Sequence, residues 1–247
     1  MAQAFLESES IKANKKKRKL FSAALIFFIV VGGGLFFVLK DSLDLSDPSD
    51  HKLAMMLLGL AALMLISCTI GFAGSLRVAK KGQNLILPYD DVTKEEAAGI
   101  INAEEAEGRF LVDEYIYDFS DGKKPYGEKV ILTPTYLLLD NGLGKIKAIP
   151  RSKIYWLCAQ VGRKGSSSFV VRLLVFTQNG TFYVDGTDVP HVEEIAEKLY
   201  KHIPNVFSGY DPFMLSYKLE EMFNNDRAGF MEFYKSEKNK HGQTADK

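Results

Sequence analysis

Cysteine and histidine are scarce in this sequence, which restricts the chemistry that its side chains offer. The 247 residues include two cysteines and four histidines. Cys68 lies within a long apolar run and Cys158 within a strand-like apolar segment, so the two are poorly placed to pair, as is usual in a reducing compartment. The scattered histidines and separated cysteines also lack zinc-ligand spacing. We therefore expect no disulfide, no bound metal and no cofactor.

Motifs for catalysis and phosphate transfer are missing as well. The order GxxxxGK[ST] does not occur. Cys158 could serve as a nucleophile with His191 or His202 as its base, but a small apolar core residue is the more ordinary role for a cysteine in the segment 155–159. Acidic residues outnumber basic ones after residue 79, and the basic ones do not cluster with aromatics, so nucleic acid is not an expected partner. The sequence predicts a protein that is not an enzyme.

Charged residues are absent from two long runs near the N-terminus, 20–39 and 53–76. At about 1.5 Å per helical residue these runs span roughly 30 and 36 Å, which matches a bilayer core of about 30 Å. A cleaved signal peptide is the competing interpretation, but the first run is too long and no cleavage site follows it. The pattern predicts a transmembrane hairpin over 20–76.

The charges that flank the hairpin indicate its orientation. Residues 1–19 form a basic segment that contains Lys12 and a run of five cations at 15–19, whereas the loop between the spans is acidic. Positive charge favours the cytoplasmic side, so both termini and everything after about residue 77 are expected in the cytoplasm of a two-span cell-membrane protein. The basic cluster either only sets this topology or also attracts anionic headgroups.

Small residues recur on one face of the second run, at Ser67, Gly71 and Ser75. Such a face lets two helix backbones approach closely in lipid. It serves either the packing of the two spans within one chain or the formation of a homodimer. Neither run contains an ionisable residue, whereas proton relays and ion pathways usually need one, so a transporter or channel is disfavoured.

The remainder of the chain changes from a helical to a strand-like pattern. Residues 77–108 are expected to form a helical connector that lies on a surface, with a capping box at Thr93 and Glu96. From Arg109 onward, short apolar segments alternate with turn residues such as Asn179-Gly180. We predict seven strands, at 109–119, 128–133, 135–140, 145–149, 154–161, 169–177 and 181–185.

One amphipathic helix follows the strands, over 189–203. Asp188 can cap it, Pro190 fits its first turn, and five apolar residues form a continuous stripe: Val192, Ile195, Ala196, Leu199 and Ile203. Further C-terminal helices are expected over 205–235, the first beginning at Asp211-Pro212. A polar tail over 236–247 is expected to be disordered.

Seven short strands followed by one helix, together with the segments VILTPTYLLLD, KIKAIPRSKIYWLCAQV and LLVFTQNGTFYV, resemble bacterial pleckstrin-homology-like (PH-like) membrane proteins with two transmembrane helices. The resemblance covers residues 109–204. It implies an α+β membrane protein in which a cytoplasmic PH-like seven-strand barrel or sheet, with C-terminal helices, follows the hairpin. It also implies a binding or scaffolding module. Acidic residues interrupt the basic ones at 109–130, where phosphoinositide-binding PH domains place their cations.

The most site-like segment is the loop 162–168, where Arg163, Lys164, Ser166 and Ser167 combine two cations with hydroxyl groups and flexible backbone. Such a loop suits a phosphate or an anionic headgroup. A plain strand connector uses the same residues. The function predicted is that of a membrane-anchored, non-enzymatic binding or scaffolding module of unknown ligand, whose partner besides the bilayer is either anionic lipid or a protein. The alternative is a sensor of anionic lipid or a phosphate ligand through this loop.

Overall fold

The computed structural model describes residues 4–40, 48–76, 82–89, 91–116, 128–142, 144–164, 168–203, 207–208 and 215–245. The chain forms two compact units. Ser8–Lys80 make a helical unit, and Met1–Glu7 join Lys81–Lys247 in an α+β unit. The predicted α+β class is confirmed, and the strands form two separate sheets after the N-terminal helices.

The helical unit consists of α1 (Phe5–Lys40) from Ser8 onward and of α2 (Pro48–Ser75). Lysine and arginine are good helix formers, so the basic segment predicted over 1–19 becomes, from Phe5 onward, part of the same helix as the apolar run. Within the described residues, one helix is long and apolar enough to cross a membrane, namely Asp50–Ser75. The first span, 20–39, stays a prediction, since several of its side chains lie outside the described residues, as does the acidic loop at 41–47.

The small-residue face of α2 meets α1 within this chain. A Cβ atom added at Gly71 would lie 2.5 Å from the ring of Phe21. Ser75 is buried, and its carbonyl oxygen accepts a hydrogen bond from Arg18 Nη2 at 3.5 Å. Ser67 is exposed and donates to its own helix. Gly71 and Ser75 thus favour packing within the chain, and a homodimer through Ser67, Gly71 and Ser75 stays a prediction.

The α+β unit contains two sheets. The first has the order β1-β5-β4-β3-β2 and the second β8-β7-β6-β9. Their bounds are β1 Leu85–Ile86, β2 Val112–Tyr115, β3 Lys129–Leu132, β4 Tyr136–Asp140, β5 Ile146–Pro150, β6 Ile154–Lys164, β7 Ser168–Thr177, β8 Gly180–Gly186 and β9 Phe207–Ser208. The seven predicted strands correspond to β2–β8. The sequence missed the two-residue strands β1 and β9, which pair in parallel with β5 and β6.

The helix α3 (Lys94–Ala106) begins with the predicted capping box, in which Thr93 and Glu96 bond each other's backbone N–H groups. The helix lies at the surface with one face exposed, but its other face is buried. Ala97, Ala98 and Ile101 are fully buried in a core that they share with the outer face of the first sheet. Small alanine side chains allow the helix backbone to approach the sheet closely, which explains why few large apolar residues marked the buried face.

The helix α4 (Val189–Tyr200) closes the space between the sheets. Its predicted cap is confirmed, because the Asp188 side chain accepts from the His191 N–H. Its predicted apolar stripe is also confirmed, and all five members are buried in the core that includes inward residues of both sheets. Amphipathic pattern and burial agree here because one face of the helix packs and the other is solvated.

Two C-terminal helices, α5 (Leu215–Asn225) and α6 (Arg227–Ala245), cover the outer face of the second sheet. Their core combines Trp156, Cys158, Leu174 and Phe176 with Leu219, Phe223, Phe230 and Tyr234. The start predicted at Asp211-Pro212 lies outside the described residues. The tail predicted to be disordered over 236–247 is, as far as Ala245, the end of α6. The helix α3, the first sheet, the second sheet and the α5–α6 pair thus form four layers, with one core between each neighbouring pair. The core between the second sheet and the α5–α6 pair is called here the third core.

Candidate functional site

The segment predicted as a loop over 162–168 is mostly strand. Arg163 and Lys164 are the last two residues of β6, and they pair with Phe169 and Ser168 of β7. Only the connection 165–167 remains between the strands, and it contains Ser166 and Ser167, which lie outside the described residues. The four predicted ligand-binding residues thus belong to one hairpin, called here the β6–β7 hairpin (residues 163–169).

An exposed aromatic ring marks this hairpin. Phe169 is 72% exposed, the most exposed large apolar side chain described in the α+β unit. It lies directly across the ladder from Arg163, and cross-strand partners are close neighbours. The sequence predicts Phe169 as the first residue of a strand but gives no sign of its exposure, which arises because β7 extends beyond the core that its later residues enter.

A polar network holds the base of the hairpin. The fully buried Gln160 side chain accepts a hydrogen bond from Arg172 Nε at 2.8 Å and donates one to Glu220 at 2.9 Å. The Arg172 guanidinium also lies 4.9 Å from the ring centroid of Tyr183. Gly162 leaves space for it, since an added Cβ would lie 3.1 Å from that guanidinium. The network fixes the hairpin base, because a fully satisfied buried polar group resists movement.

The proposed nucleophile and bases do not come together. Cys158 is fully buried on the outer face of the second sheet, and burial, aided by Glu220, raises the pKa of its thiol to about 12. His191 and His202 belong to α4 or follow it, on the opposite face of that sheet. The Nε2 atom of His191 is hydrogen-bonded to the Tyr115 carbonyl oxygen at 2.9 Å. A neutral, enclosed thiol without a base is a packing residue.

A small pocket of about 150 Å³ lies at one end of the first sheet. Its lining is mainly apolar, and burial raises the pKa of the Tyr136 hydroxyl, with Glu104 and Asp91 raising it further. Pockets for drug-sized ligands are about 300–1,000 Å³, so this one suits at most a single small side chain. Its residues are Leu87, Tyr89, Asp91, Val92, Tyr136, Ala148 and Pro150.

A buried carboxylate lies close to this end of the sheet. Glu104 is 3% exposed, and one of its oxygens accepts a hydrogen bond from the Thr135 hydroxyl at 2.6 Å. Its other oxygen and the Arg151 Nε atom have no partner. Burial lowers the pKa of Arg151, and the charge of Glu104 opposes that change. Two groups of opposite charge thus have unfilled hydrogen-bonding capacity in the interior of the α+β unit.

The first turn of α1 occupies a groove in the α+β unit. Phe5 and Leu6 are buried in the core between α3 and the first sheet. The Leu6 N–H donates to Asn102 Oδ1 at 3.1 Å, and Asn84 Nδ2 donates to the Leu6 carbonyl oxygen at 3.4 Å. Phe5 contacts Phe110 edge to face, with centroids 5.1 Å apart. This site is not among those predicted from the sequence, although a Phe-Leu pair in a polar segment is a signal for it.

Across the described part of the chain, no group of three His, Cys, Asp or Glu side chains is arranged to hold a metal ion. Comparison with protein-family models, with curated proteins and with solved structures gives no match for this chain.

Proposed function

We propose that this chain is a membrane-anchored, non-enzymatic binding or scaffolding protein of the cell membrane, with α1 and α2 as its two spans and both termini in the cytoplasm. The observation that carries the proposal is α2, which is apolar over Asp50–Ser75 with few of its side chains buried. Apolar side chains left exposed along a whole helix are costly in water and stable in lipid.

The burial of Phe5 and Leu6 supports a second span. These residues and Lys81–Lys247 belong to one compact unit, so they lie on the same side of any membrane. The chain between them must then cross an even number of times. If Asp50–Ser75 crosses once, another crossing is needed before it, and the uncharged run 20–39 supplies a segment of sufficient length.

The strand order supports a PH-like α+β unit. The strands β2 to β5 form one antiparallel meander, β6 to β8 form another, and α4 packs between the sheets. This is the succession of seven strands and one helix on which the resemblance rests. Such a unit next to a membrane anchor serves as a platform for a protein partner rather than as a catalyst.

Charge placed in α2 tests the membrane proposal. Leu60→Arg with Leu63→Arg, two exposed positions, should release the chain from membranes at alkaline pH, since each arginine costs about 2.5–3.5 kcal/mol at a helix centre in lipid. The wild-type chain and an Asp50→Asn control, at the helix start, should stay in the membrane pellet. Release of the wild-type chain under these conditions would contradict membrane integration.

A second candidate function is a sensor of anionic lipid or another phosphate-bearing ligand through the β6–β7 hairpin. The exposed Phe169 ring opposite Arg163 favours it, because aromatic rings enter the interface while cations attract anionic headgroups. Lys164, Ser166 and Ser167 would contribute further contacts to the phosphate.

A fluorophore at the hairpin tip tests this second function. Both native cysteines are buried, so a Ser166→Cys chain can be labelled selectively and reconstituted in vesicles. Emission should shift to the blue in anionic but not in zwitterionic vesicles, and salt should reverse the shift. Arg163→Ala with Lys164→Ala should remove it, as should Phe169→Asp. Added inorganic phosphate should compete only if the ligand is a free phosphate. Equal emission in both kinds of vesicle would exclude the hairpin as a lipid sensor.

A further inference from the structure

The first turn of α1 belongs to a unit that the following residues leave. Met1–Glu7 are part of the α+β unit, whereas Ser8–Lys80 form the helical unit. The α+β unit is thus built from two separate stretches of chain, a short N-terminal segment and the long stretch that begins at Lys81. It is held there by non-covalent contacts, since the covalent path between the two passes through both long helices.

The groove that holds this segment buries two adjacent side chains. Leu6 is 1% exposed and Phe5 9% exposed. They share a core with Ala97, Ala98 and Ile101 on α3. Three side chains of the first sheet also belong to this core: Leu85, Ile131 and Leu138. The alanine side chains on α3 are small, so they leave room for the turn in the groove. Phe110 contacts the Phe5 ring edge to face.

The groove also contacts the main chain of its occupant. The Leu6 N–H lies in the first turn of α1, where backbone N–H groups lack partners within the helix. Asn102 Oδ1 accepts from it, and Asn84 Nδ2 donates to the Leu6 carbonyl oxygen. Two side-chain amides thus bind the Leu6 backbone through its N–H and its carbonyl group, while one apolar core takes the Phe5 and Leu6 side chains. Anchoring apolar side chains of a helical turn in a groove is one mode of peptide recognition.

The apolar contacts of this segment are those of Phe5 and Leu6, although Ser10 is also buried. The next apolar residue, Ile11, is 43% exposed, and Lys12 pairs with Glu9 on the helix surface. The apolar anchor is therefore the Phe5-Leu6 pair, a contact of two side chains in the first turn of the helix.

We propose that the groove formed by Asn84, α3, Phe110 and the outer face of the first sheet is a peptide-binding site, called here the N-terminal groove, and that its ligand is this chain's own Phe5-Leu6 turn. The turn acts as a reversible clip that fastens the start of α1 to the α+β unit. A groove emptied of the clip binds the same peptide when it is supplied separately.

Peptide binding to the full-length chain in detergent tests the proposal. The probe is a peptide of residues 2–12 with a C-terminal fluorophore, followed by anisotropy. It should bind a Leu6→Asp chain, whose own clip cannot enter an apolar groove, and should not bind the wild-type chain at the same concentrations. The tethered clip has an effective concentration in the millimolar range and excludes a dilute competitor. Adding Asn102→Ala to the Leu6→Asp chain should weaken binding about fivefold, the effect of one lost hydrogen bond.

Controls distinguish binding in the groove from non-specific binding and from the effects of unfolding. A probe carrying Leu6→Ala should not bind the Leu6→Asp chain, whereas one carrying Ile11→Ala should bind like the original. The single tryptophan, Trp156, lies in the third core with Phe233, so its unchanged emission shows that a variant is folded. A folded Leu6→Asp chain that ignores the probe would overturn the proposal, as would equal binding by the wild-type chain.

Hydrogen exchange of the wild-type chain gives a test that needs no variant. A separable clip should let the amides of residues 5–7 exchange well before those of α4, whose buried face opens only with the whole core. Simultaneous exchange of both segments would contradict a reversible clip.

Dilution of the wild-type chain tests whether a second copy supplies the clip. Peptide binding that increases as the wild-type chain is diluted would show that it does, and would overturn the intramolecular assignment.

Discussion

Ile195 is fully buried on α4 in the core between the two sheets. Complete burial of such a side chain contributes roughly 1.5–3 kcal/mol. Ile195→Asp would lose this contribution and also place a carboxylate in an apolar site. We expect a clear loss of stability, because domain stabilities are typically about 5–15 kcal/mol. Thermal unfolding of the full-length chain, followed by Trp156 emission, measures it.

Glu194 is the matched control, since it is the neighbouring residue on the exposed face of α4, where it pairs with Lys198 at 3.0 Å. Glu194→Ala should change stability by about 0.5 kcal/mol or less, as surface substitutions usually do. If Ile195→Asp melted like Glu194→Ala, the apolar stripe of α4 would not be a core.

Cys158 gives a prediction about alkaline pH. Burial raises the pKa of its thiol to about 12 from an ordinary value of 9.0. Between these values the unfolded chain has lost the thiol proton and the folded chain has kept it, so stability is intact below about pH 9 and falls as the pH rises, by about 1.4 kcal/mol per pH unit for one group. Cys158→Ala should make this decline shallower, as measured by urea unfolding from pH 8 to 11.

Thiol reactivity supplies an independent check on Cys158. The folded chain should leave this thiol unmodified by maleimide at pH 8, and denaturant should make it reactive, because the thiolate is the nucleophile and burial suppresses it. Fast labelling of Cys158 in the native chain would mean that the third core opens readily.

Single residues were predictable from the sequence where their role depends on close neighbours in the chain. Asn179-Gly180 marks a hairpin through local backbone preferences, and the strands β7 and β8 meet there. Gln160 and Leu6 were not predictable, because their partners lie far away in sequence. No local pattern distinguishes a glutamine that bonds Glu220 from one in a solvated strand.

At the scale of elements, the N-cap of α4 is a testable stabilising feature. The Asp188 side chain accepts from the His191 N–H at 2.9 Å. Removing such a cap typically costs about 1 kcal/mol, so Asp188→Ala should lower the melting temperature measurably. Asp188→Asn is the control, because asparagine caps helices as well as aspartate does. Equal destabilisation by both substitutions would assign the effect to charge rather than to the cap.

The same helix shows which elements the sequence determines. A cap, a proline in the first turn and a 3.6-residue apolar period all occur within α4, and its bounds, Val189–Tyr200, differ from the prediction only at the C-terminal end. The strands β1 and β9 have two residues each and exist through parallel pairing with distant strands. Such elements carry no periodicity of their own, so tertiary contacts alone specify them.

Helices α3 and α6 deviate from prediction for a related reason. Only one of the four buried residues of α3, Ile101, is a large apolar residue, so a pattern of large apolar residues gives little sign of the buried face. In α6 the polar residues beyond Lys235 continue a helix whose earlier residues, Phe230 and Tyr234, are anchored in the third core. Anchoring removes the cost of nucleation, so good helix formers continue the helix without a stripe of their own.

At the scale of the whole molecule, two features that are independent of each other support the proposed membrane topology. The cations at 15–19 favour the cytoplasm, and the burial of Phe5 and Leu6 keeps the N-terminus on the same side as the α+β unit. We therefore expect a reporter fused after Lys247 to be active only as a cytoplasmic protein, and one inserted at Asp47 only as an external protein.

Charge substitutions make this topology test decisive. Replacing the five cations at 15–19 with glutamine should produce a mixture of orientations or impaired insertion, because basic residues near the spans set orientation. Replacing the loop residues Asp44 and Asp47 with asparagine should leave it unchanged, since acidic residues contribute little to orientation. A Leu6→Asp chain should keep the wild-type topology, because orientation is fixed during insertion, before the clip can bind. An external signal from the Lys247 fusion of the wild-type chain would place the α+β unit outside the cell and would contradict both the predicted orientation and the cytoplasmic role proposed for it.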